Sequence, residues 1–423
     1  MPVIAGHQPA PNDLPRLFAA AMDALGPFPP APRLAAGVSG GADSLALALL
    51  ADGWVRPRGG SLLALIVDHG LRPEAAGEAS ATVALLTTRC IAAQILRLDD
   101  LSPGPGLAAR ARAARFDALT SACAAAGITD LLLGHHAADQ AETLLIRALS
   151  GSGATGMAGM AVLREVSAGR RLRPLLGIAP GALRNFLRMA GAAWVEDPSN
   201  ANPTALRARL RALRGTRAGD DFATNALLTS ARVAGLARAQ AETEIAAWLA
   251  AHASLRPEGF AVLPRGPWPV DALASLIRAV SGADFSAPIA SVTALAARPR
   301  AATLAGARLL PAGKFGPGWL LIREAAAMAP PIPARAGVVW DRRFRLLADL
   351  PDTTFGALGT DAACRRGTLP AAILATLPAL RHDGRVMGVP HLDRPTSIRP
   401  VAIRPTAPHP AAPPTFVGLA LQG

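Results

Sequence analysis

Short apolar runs alternate with longer Ala/Leu-rich stretches between residues 34 and 195, and this alternation constrains the fold more than any other feature. Short apolar runs predict buried strands, and longer proline-free stretches predict helices. We predict strands at 34–38, 62–67, 94–98, 131–133 and 193–195, with helices between them at 45–50, 78–92, 107–126 and 140–149. Such alternation is typical of an α/β fold with a doubly wound, mainly parallel sheet.

The rest of the chain predicts further domains. Residues 1–32 are interpreted as an N-terminal extension with a helix, and the alternating pattern defines a domain at 33–214. Residues 225–251 predict one or two amphipathic helices, so we predict a helical domain at 215–325. The strand-like stretch 338–347, in which Trp340 and Phe344 are expected to pack a small third core, belongs to a small mixed domain at 335–393. Recurrent prolines predict a surface-draped or unstructured tail at 394–423.

The formal net charge is +13, from 43 Lys and Arg residues against 30 Asp and Glu. A basic surface attracts polyanions, which makes RNA, DNA or anionic lipid candidate partners. Lys314 is the only lysine, and guanidinium groups suit bidentate phosphate contacts. Replacement of lysine by arginine through codon bias explains the same composition, so the charge alone indicates no function.

Cysteine usage and hydropathy bear on location. Cys90, Cys123 and Cys364 are far apart and form no CxxC pair, so neither a disulfide framework nor a cysteine metal site is indicated. No uninterrupted apolar run approaches membrane-spanning length, and we expect no membrane partner. The predicted location is the cytoplasm.

A glycine-rich segment between a predicted strand and a predicted helix is the strongest chemical signal. It comprises Ser39, Gly40, Gly41, Ala42, Asp43 and Ser44. Glycines let the backbone turn its N–H groups toward an anion, and the helix N-terminus adds partial positive charge. The segment is not a Walker A loop, because no Gly-Lys-Ser/Thr occurs. The pattern predicts a phosphate-binding loop; the alternative is a structural turn capped by Asp and Ser.

A second group of polar residues follows the predicted strand 131–133. His135 and His136 lie at the carboxyl edge of that strand, where open α/β sheets bind ligands. Asp139 and Glu142 are three residues apart on the next helix and are expected to share a face. Two carboxylates beside a polyphosphate suit Mg²⁺ or the ammonium group of an amino substrate. The alternative is an acidic first turn that satisfies the helix dipole.

Residues 151–156 match the GxGxxG pattern of dinucleotide-binding folds. The match follows a predicted helix instead of a strand, so we reject that interpretation. We expect a flexible loop that covers or borders the active site.

Several segments in order along the chain resemble those of tRNA(Ile)-lysidine synthetases, members of the PP-loop ATP pyrophosphatase superfamily. They are SGGADS at 39–44, VDHGLR at 67–72, ARAARF at 111–116, the block 135–153, RPLL at 173–176, EDPSN at 196–200 and RARLR at 207–211. The resemblance covers roughly residues 33–212. The chain departs from it at Ala138, where many relatives have an acidic residue, and at Phe116, where tyrosine is common.

The resemblance implies a ligase that uses ATP and Mg²⁺. ATP would adenylate the 2-oxo group of the wobble cytidine in a tRNA(Ile) with a CAU anticodon, releasing pyrophosphate. The ε-amino group of free L-lysine would then displace AMP. The resemblance assigns catalytic roles to Asp43, His136, Asp139, Glu142, Arg112 and Arg207.

The other ligands are assigned on the same ground. The resemblance assigns ATP to the 39–44 segment and Asp68, and Mg²⁺ to Asp43 and Asp139. Arg209 and Arg211 would hold the tRNA backbone, and residues 215–325 would contribute to tRNA binding. A homodimer is left open.

Rival functions remain. Related tRNA thiolases use cysteines, usually in CxxC pairs, which this chain lacks, and amidotransferase-type relatives need a glutaminase domain or an ammonia source. Another PP-loop ligase, such as an NAD synthetase, and a non-catalytic basic RNA-binding protein stay open. The net positive charge favours a macromolecular substrate.

Overall fold

The computed structural model describes residues 13–70, 73–98, 101, 104–166, 169–195, 222–283, 285–364, 369–392 and 403–405. The chain divides into two compact units between Gln240 and Ala241. The predicted 196–200 motif and Arg207, Arg209 and Arg211 lie outside the described residues.

The described strands of the first unit form one six-stranded sheet. They are β1 (Arg33–Val38), β2 (Ser61–Asp68), β3 (Ala92–Arg97), β4 (Asp130–Leu133), β5 (Leu163–Val166) and β6 (Gly169–Leu172). The order is β3-β2-β1-β4-β6-β5, and every neighbouring pair is parallel except β5 and β6. The predicted mainly parallel α/β sheet is confirmed.

Helices cover both faces of this sheet. The described helices are α1 (Leu14–Leu25), α2 (Ala42–Val55), α3 (Ala75–Thr87), α4 (Leu107–Ala125), α5 (Ala137–Leu149), α6 (Ala154–Met157) and α7 (Pro180–Met189). Successive side chains of a strand point to opposite faces, so β1 serves two cores. Leu34 and Ala36 join one core with α1, α2 and α7, whereas Ala35 joins the other with α4. The doubly wound arrangement follows from this period of two.

Helix α1 shows how the sequence directs this packing. Its apolar residues Leu14, Phe18, Met22 and Leu25 recur at helical spacing and are at most 1% exposed. Burying each large apolar side chain contributes roughly 1.5–3 kcal/mol. The helix therefore belongs to the core of the first unit.

The strand predicted at 193–195 is wrong. The backbone N–H of Val195 donates to the carbonyl of Gly40 at 3.0 Å, so the segment pairs with the glycine-rich loop instead of the sheet. The sheet is extended by the hairpin of β5 and β6. That hairpin is rich in charged residues, including Arg164, Arg170 and Arg171, and it has no apolar run.

Helix α8 (Phe222–His252) is one continuous helix and contains the boundary between the units. The elements that follow are β7 (Ser254–Leu255), β8 (Ala261–Pro264), α9 (Val270–Ser281), α10 (Ile289–Ala297), β9 (Ala302–Leu304), β10 (Ala307–Pro311) and β11 (Gly318–Arg323). The strands form an antiparallel sheet in the order β7-β8-β11-β10-β9. The region predicted as helical at 215–325 also contains the short strands β7 to β11. Its described residues are therefore helical only in part.

The last described elements are seven strands, which form two small antiparallel sheets, and one short α-helix. They comprise β12 (Ile332–Pro333), β13 (Val339–Trp340), β14 (Phe344–Leu346), β15 (Thr353–Ala357), α11 (Ala371–Leu374), β16 (Pro378–His382), β17 (Arg385–Gly388) and β18 (Ile403–Pro405). The predicted stretch 338–347 is broken by Asp341 and Arg342, whose φ angles are 50° and 56°. Trp340 and Phe344 share one buried core, as predicted.

Strand β18 pairs with β14 and lies within the range predicted as a tail, so residues 403–405 depart from that prediction. None of the helices in the described ranges has the length and apolar character needed to cross a membrane.

Candidate active site

The glycine-rich loop lies between the end of β1 and the start of α2. Gly40 has a φ of 80°, and a Cβ atom there would lie 2.7 Å from Thr82 Oγ1, so both backbone and space require glycine. Ser44 Oγ accepts from the Ser39 N–H at 3.0 Å and donates to the Gly41 carbonyl at 3.1 Å. The loop is thus closed around the Ser44 hydroxyl at the N-terminus of α2, a geometry suited to binding an anion.

Two predicted carboxylates meet at one imidazole beside this loop. His136 Nε2 lies 3.4 Å from Asp43 Oδ2 and 3.6 Å from Asp139 Oδ2. Asp43 is in the first turn of α2 and Asp139 in the first turn of α5, so two helix N-termini face the same place. The structure therefore brings Asp43, His136 and Asp139 together, as a shared polyphosphate site requires.

The orientation of His136 is set by a reciprocal cap at the start of α5. Its Nδ1 accepts from the Asp139 N–H at 3.4 Å, and Asp139 Oδ2 accepts from the His136 N–H at 3.1 Å. Because Nδ1 acts as an acceptor, we assign the proton of the neutral ring to Nε2. That N–H then faces the two carboxylates.

Glu142 differs from the other two carboxylates in accessibility. It is completely buried, whereas the side chain of Asp43 is 32% exposed and that of Asp139 is 14% exposed. Asp43 is therefore the most accessible of the three to a ligand. A direct contact between Glu142 and substrate stays a prediction.

Asp68, the last residue of β2, is also buried. Its Oδ1 accepts from the Gly70 N–H at 2.9 Å, which closes the turn after the strand. Contact of Asp68 with ATP stays a prediction.

The donor set beside the loop fits Mg²⁺ carried by a nucleotide. Within the described ranges, no three His, Cys, Asp or Glu side chains form a group that could hold a metal ion alone. Mg²⁺ is usually held by one or two carboxylates together with substrate phosphates, and Asp43 and Asp139 supply two carboxylates.

A cavity of about 220 Å³ opens beside His135, at the carboxyl ends of β2 and β4. Its lining consists of His69, Ala108, Ala111, Arg112, Arg115, Phe116 and His135. Arg112 was predicted as a site residue, whereas His69, Arg115 and His135 were not assigned roles. Two sequence features could have pointed to these residues. Each histidine follows the end of a strand, and Arg115 is three residues after Arg112 on α4.

The cavity is electropositive, and its histidines are neutral near pH 7. Burial, with the charge of Arg173 next in effect, lowers the pKa of His135 to about 3. Burial and the charge of Arg115 also lower the pKa of His69. The pKa of Arg173 itself is lowered to about 10, first by burial and then by Arg164. Clustered guanidinium groups next to neutral imidazoles favour an anionic ligand.

The burial of His135 predicts a pH-dependent stability. We expect the free energy of unfolding to fall as the pH drops below 6.5, because unfolded His135 takes up a proton there while the folded residue, with a pKa of about 3, does not. The contribution approaches about 1.4 kcal/mol per pH unit. Urea unfolding of wild type and His135→Gln at about pH 7 and about pH 5 measures it. Equal losses in the two proteins would contradict the effect.

The GxGxxG segment is a loop and the short helix α6, and it follows α5 rather than a strand. Gln140 Nε2 donates to the Met160 carbonyl at 3.0 Å, and the Met160 N–H donates to Gln140 Oε1 at 2.8 Å. Arg147 Nη1 donates to the carbonyls of Gly156 and Gly159 at 2.8 and 2.7 Å. These hydrogen bonds hold residues 156–160 against α5, the helix that carries Asp139.

Residues 16–214 match the family model of the PP-loop domain. The tRNA(Ile)-lysidine synthase of Hyphomonas neptunium is 48% identical over 182 residues, covering 42% of this chain and 49% of that protein. That of a Bradyrhizobium species is 39% identical over 233 residues, covering 55% and 65%.

A third relative extends the similarity over most of the chain. The tRNA(Ile)-lysidine synthase of Mesorhizobium japonicum is 36% identical over 385 residues, covering 84% of this chain and 83% of that protein. The chain spans less than two thirds of the length of the first two relatives, but most of the third. With its PP-loop domain and this extended similarity, the chain belongs to the tRNA(Ile)-lysidine synthase family.

Proposed function

We propose that this chain uses ATP to join free L-lysine to the wobble cytidine of a tRNA(Ile) with a CAU anticodon. The observation that carries the proposal is the meeting of Asp43 and Asp139 at His136, beside a glycine loop and an arginine-lined cavity. This arrangement provides a polyphosphate site next to an anion site. The family relationship and the net charge of +13 support RNA as the second ligand.

The proposed reaction has two steps. The cytidine 2-oxo oxygen attacks the α-phosphorus of ATP, and pyrophosphate leaves. The lysine ε-nitrogen then attacks C2, and AMP leaves with the oxygen, taking the electron pair of the broken C–O bond. Activation is needed because an amide-like oxygen is a poor leaving group, whereas AMP is a good one.

The chain's own residues have distinct roles in this proposal. The N–H groups of the 39–44 loop bind the leaving pyrophosphate, and Asp43 and Asp139 would hold Mg²⁺, which offsets phosphate charge when bound. His136 orients these two carboxylates through Nε2–H. Arg112 is placed at the cavity to offset charge on the phosphate or the wobble nucleotide.

The remaining assignments are part of the same proposal. Glu142 acts in catalysis beside Asp139 on α5. Asp68, at the end of β2, contributes to ATP binding. Arg207 acts with Arg112 on phosphate charge, and Arg209 and Arg211 hold the tRNA backbone. We place the reaction in the cytoplasm, and a homodimer is tested by light scattering of the purified chain.

Incorporation of labelled L-lysine tests the function directly. Full-length protein, ATP and Mg²⁺ are incubated with a tRNA(Ile) transcript carrying CAU, and the initiator tRNA, which shares this anticodon, is the control. We expect label in the first transcript and little in the second. ATP–pyrophosphate exchange that needs no tRNA would instead indicate a PP-loop ligase acting on a small molecule, and RNA binding without AMP release would indicate a non-catalytic protein.

Binding of tRNA should depend strongly on salt. If the arginines displace counterions at three or more phosphates, the affinity should fall at least about tenfold when salt rises fourfold. Titration of the full chain with tRNA(Ile) transcript at about 50 mM and about 200 mM salt measures this change. A flat response would contradict the polyanion site.

A further inference from the structure

One aromatic ring in the cavity wall contacts two guanidinium groups. Arg112 Cζ lies 5.1 Å from the centroid of the Phe116 ring, and Arg171 Cζ lies 4.4 Å from the same centroid. Both distances are within the range of a favourable cation–π interaction. Arg112 and Phe116 line the cavity, but Arg171 does not. The ring therefore connects a cavity residue to a residue behind it.

The side chain of Arg171 is held in place from β6. Its Nη2 donates to Thr120 Oγ1 at 3.1 Å, and Thr120 Oγ1 donates in turn to the Phe116 carbonyl. Arg112, Phe116 and Thr120 are spaced by four residues and so follow one face of α4. Arg171 thus contacts Phe116 and Thr120, the next two residues on the face of α4 that carries Arg112.

Arg112 is more exposed than Arg171 in β6 and Arg173 in the segment after it. It is exposed, whereas Arg171 is half-buried and Arg173 is buried. A long exposed side chain loses conformational entropy when a ligand orders it. A ring contact that restricts Arg112 before binding reduces this loss.

The charges of Arg171 and Arg112 also interact directly. The pKa of Arg171 is lowered by burial first and by Arg164 next, with Arg112 also contributing, so the two guanidinium groups repel each other. The Phe116 ring, which lies against both guanidinium groups, offsets part of this repulsion. The favourable connection from Arg171 to Arg112 therefore runs through this ring.

We propose that Phe116 and Arg171 are positioning residues that hold Arg112 at the cavity for the phosphate of the bound nucleotide. This inference rests on the proposed function, in which Arg112 offsets phosphate charge. Arg171 acts through Arg112 and touches no substrate itself.

The single variants separate the ring from the charge. Arg171→Met should lower kcat/KM for tRNA-dependent AMP formation about tenfold. Phe116→Leu should cause at least as large a loss, and Phe116→Tyr, which keeps the ring, should recover most of it. Arg58→Met is the matched control, because Arg58 lies 4.2 Å from the Trp54 ring at the opposite end of α2. It should remain active.

A double-mutant cycle tests whether Arg171 acts through Arg112. Wild type, Arg112→Met, Arg171→Met and the double variant are compared by kcat/KM and by tRNA affinity, which stays measurable if turnover is lost. We expect Arg171→Met to cost about tenfold in the wild-type background and almost nothing in the Arg112→Met background. Equal losses in both backgrounds would overturn the positioning role. Urea unfolding of each variant identifies any loss that comes from misfolding.

The cycle also separates this inference from the function on which it rests. Wild-type protein that incorporates no lysine would count against the proposed function. Active wild-type protein with additive effects of Arg112→Met and Arg171→Met would count against positioning alone. Recovery by Tyr but not by Leu at position 116 would support the ring contact.

Discussion

Asp43→Asn is expected to lower tRNA-dependent AMP formation roughly 10²–10³-fold while the protein remains folded. The substitution keeps the shape of the side chain but removes the charge that lies 3.4 Å from His136 Nε2. It also removes one of the two carboxylates available to Mg²⁺. The side chain is 32% exposed and lies in the first turn of α2, so its neutralisation should not disrupt the core.

Asp52→Asn is the matched control for this variant. Asp52 lies on the same helix and pairs with Arg56 at 2.8 Å, away from the glycine loop. We expect its AMP formation to stay within about twofold of wild type, because an exposed ion pair contributes little stability. Wild-type activity of Asp43→Asn would show that Asp43 is only a structural residue of the helix terminus.

Gly134→Val is expected to reduce adenylation about 10²-fold, because it separates the two halves of the site. A Cβ atom at residue 134 would lie 3.1 Å from Ser44 Cα and 3.3 Å from Ser44 N, which are backbone atoms that cannot rotate away. Overpacking of this kind costs about 1–3 kcal/mol of stability. The end of β4 would move away from the start of α2, and His136 would move away from Asp43.

Gly53→Val controls for the substitution itself. Gly53 is an exposed residue of α2, and no heavy atom lies within 4 Å of a Cβ atom built there. Its AMP formation should remain near wild type. If Gly134→Val formed AMP as fast as Gly53→Val, the close approach of β4 to α2 would not matter for the reaction.

The sheet, the glycine loop and the cap at the start of α5 were predictable because each depends on local sequence. Apolar runs in β1, β2 and β4 are buried on both faces, so they appear as continuous hydrophobic segments. The turn after β1 needs glycine at residue 40, and His136 caps its own helix. Local rules of this kind leave a visible pattern in the sequence.

The features that sequence did not predict depend on distant contacts. The hairpin of β5 and β6 is attached to the sheet through residues far apart in the chain, among them Arg170, whose Nε donates to Asp130 Oδ1 at 2.6 Å. The cavity joins residues of β2, β4 and α4, and the role of Arg173 in lowering the pKa of His135 appears only when those elements pack. Contacts between residues so far apart in the chain leave no periodic pattern in the sequence.

The hydrogen bond from the Val195 N–H to the Gly40 carbonyl makes the conformation of the glycine loop insensitive to most substitutions at residue 195. A peptide group is planar, so holding the Gly40 carbonyl on one side also determines where the Gly41 N–H points on the other. Both partners are backbone atoms, and most substitutions at residue 195 therefore leave the bond intact. Only proline, which has no N–H, removes it. The side chain at position 195 can therefore vary while the direction of the Gly41 N–H, which is proposed to bind phosphate, stays the same.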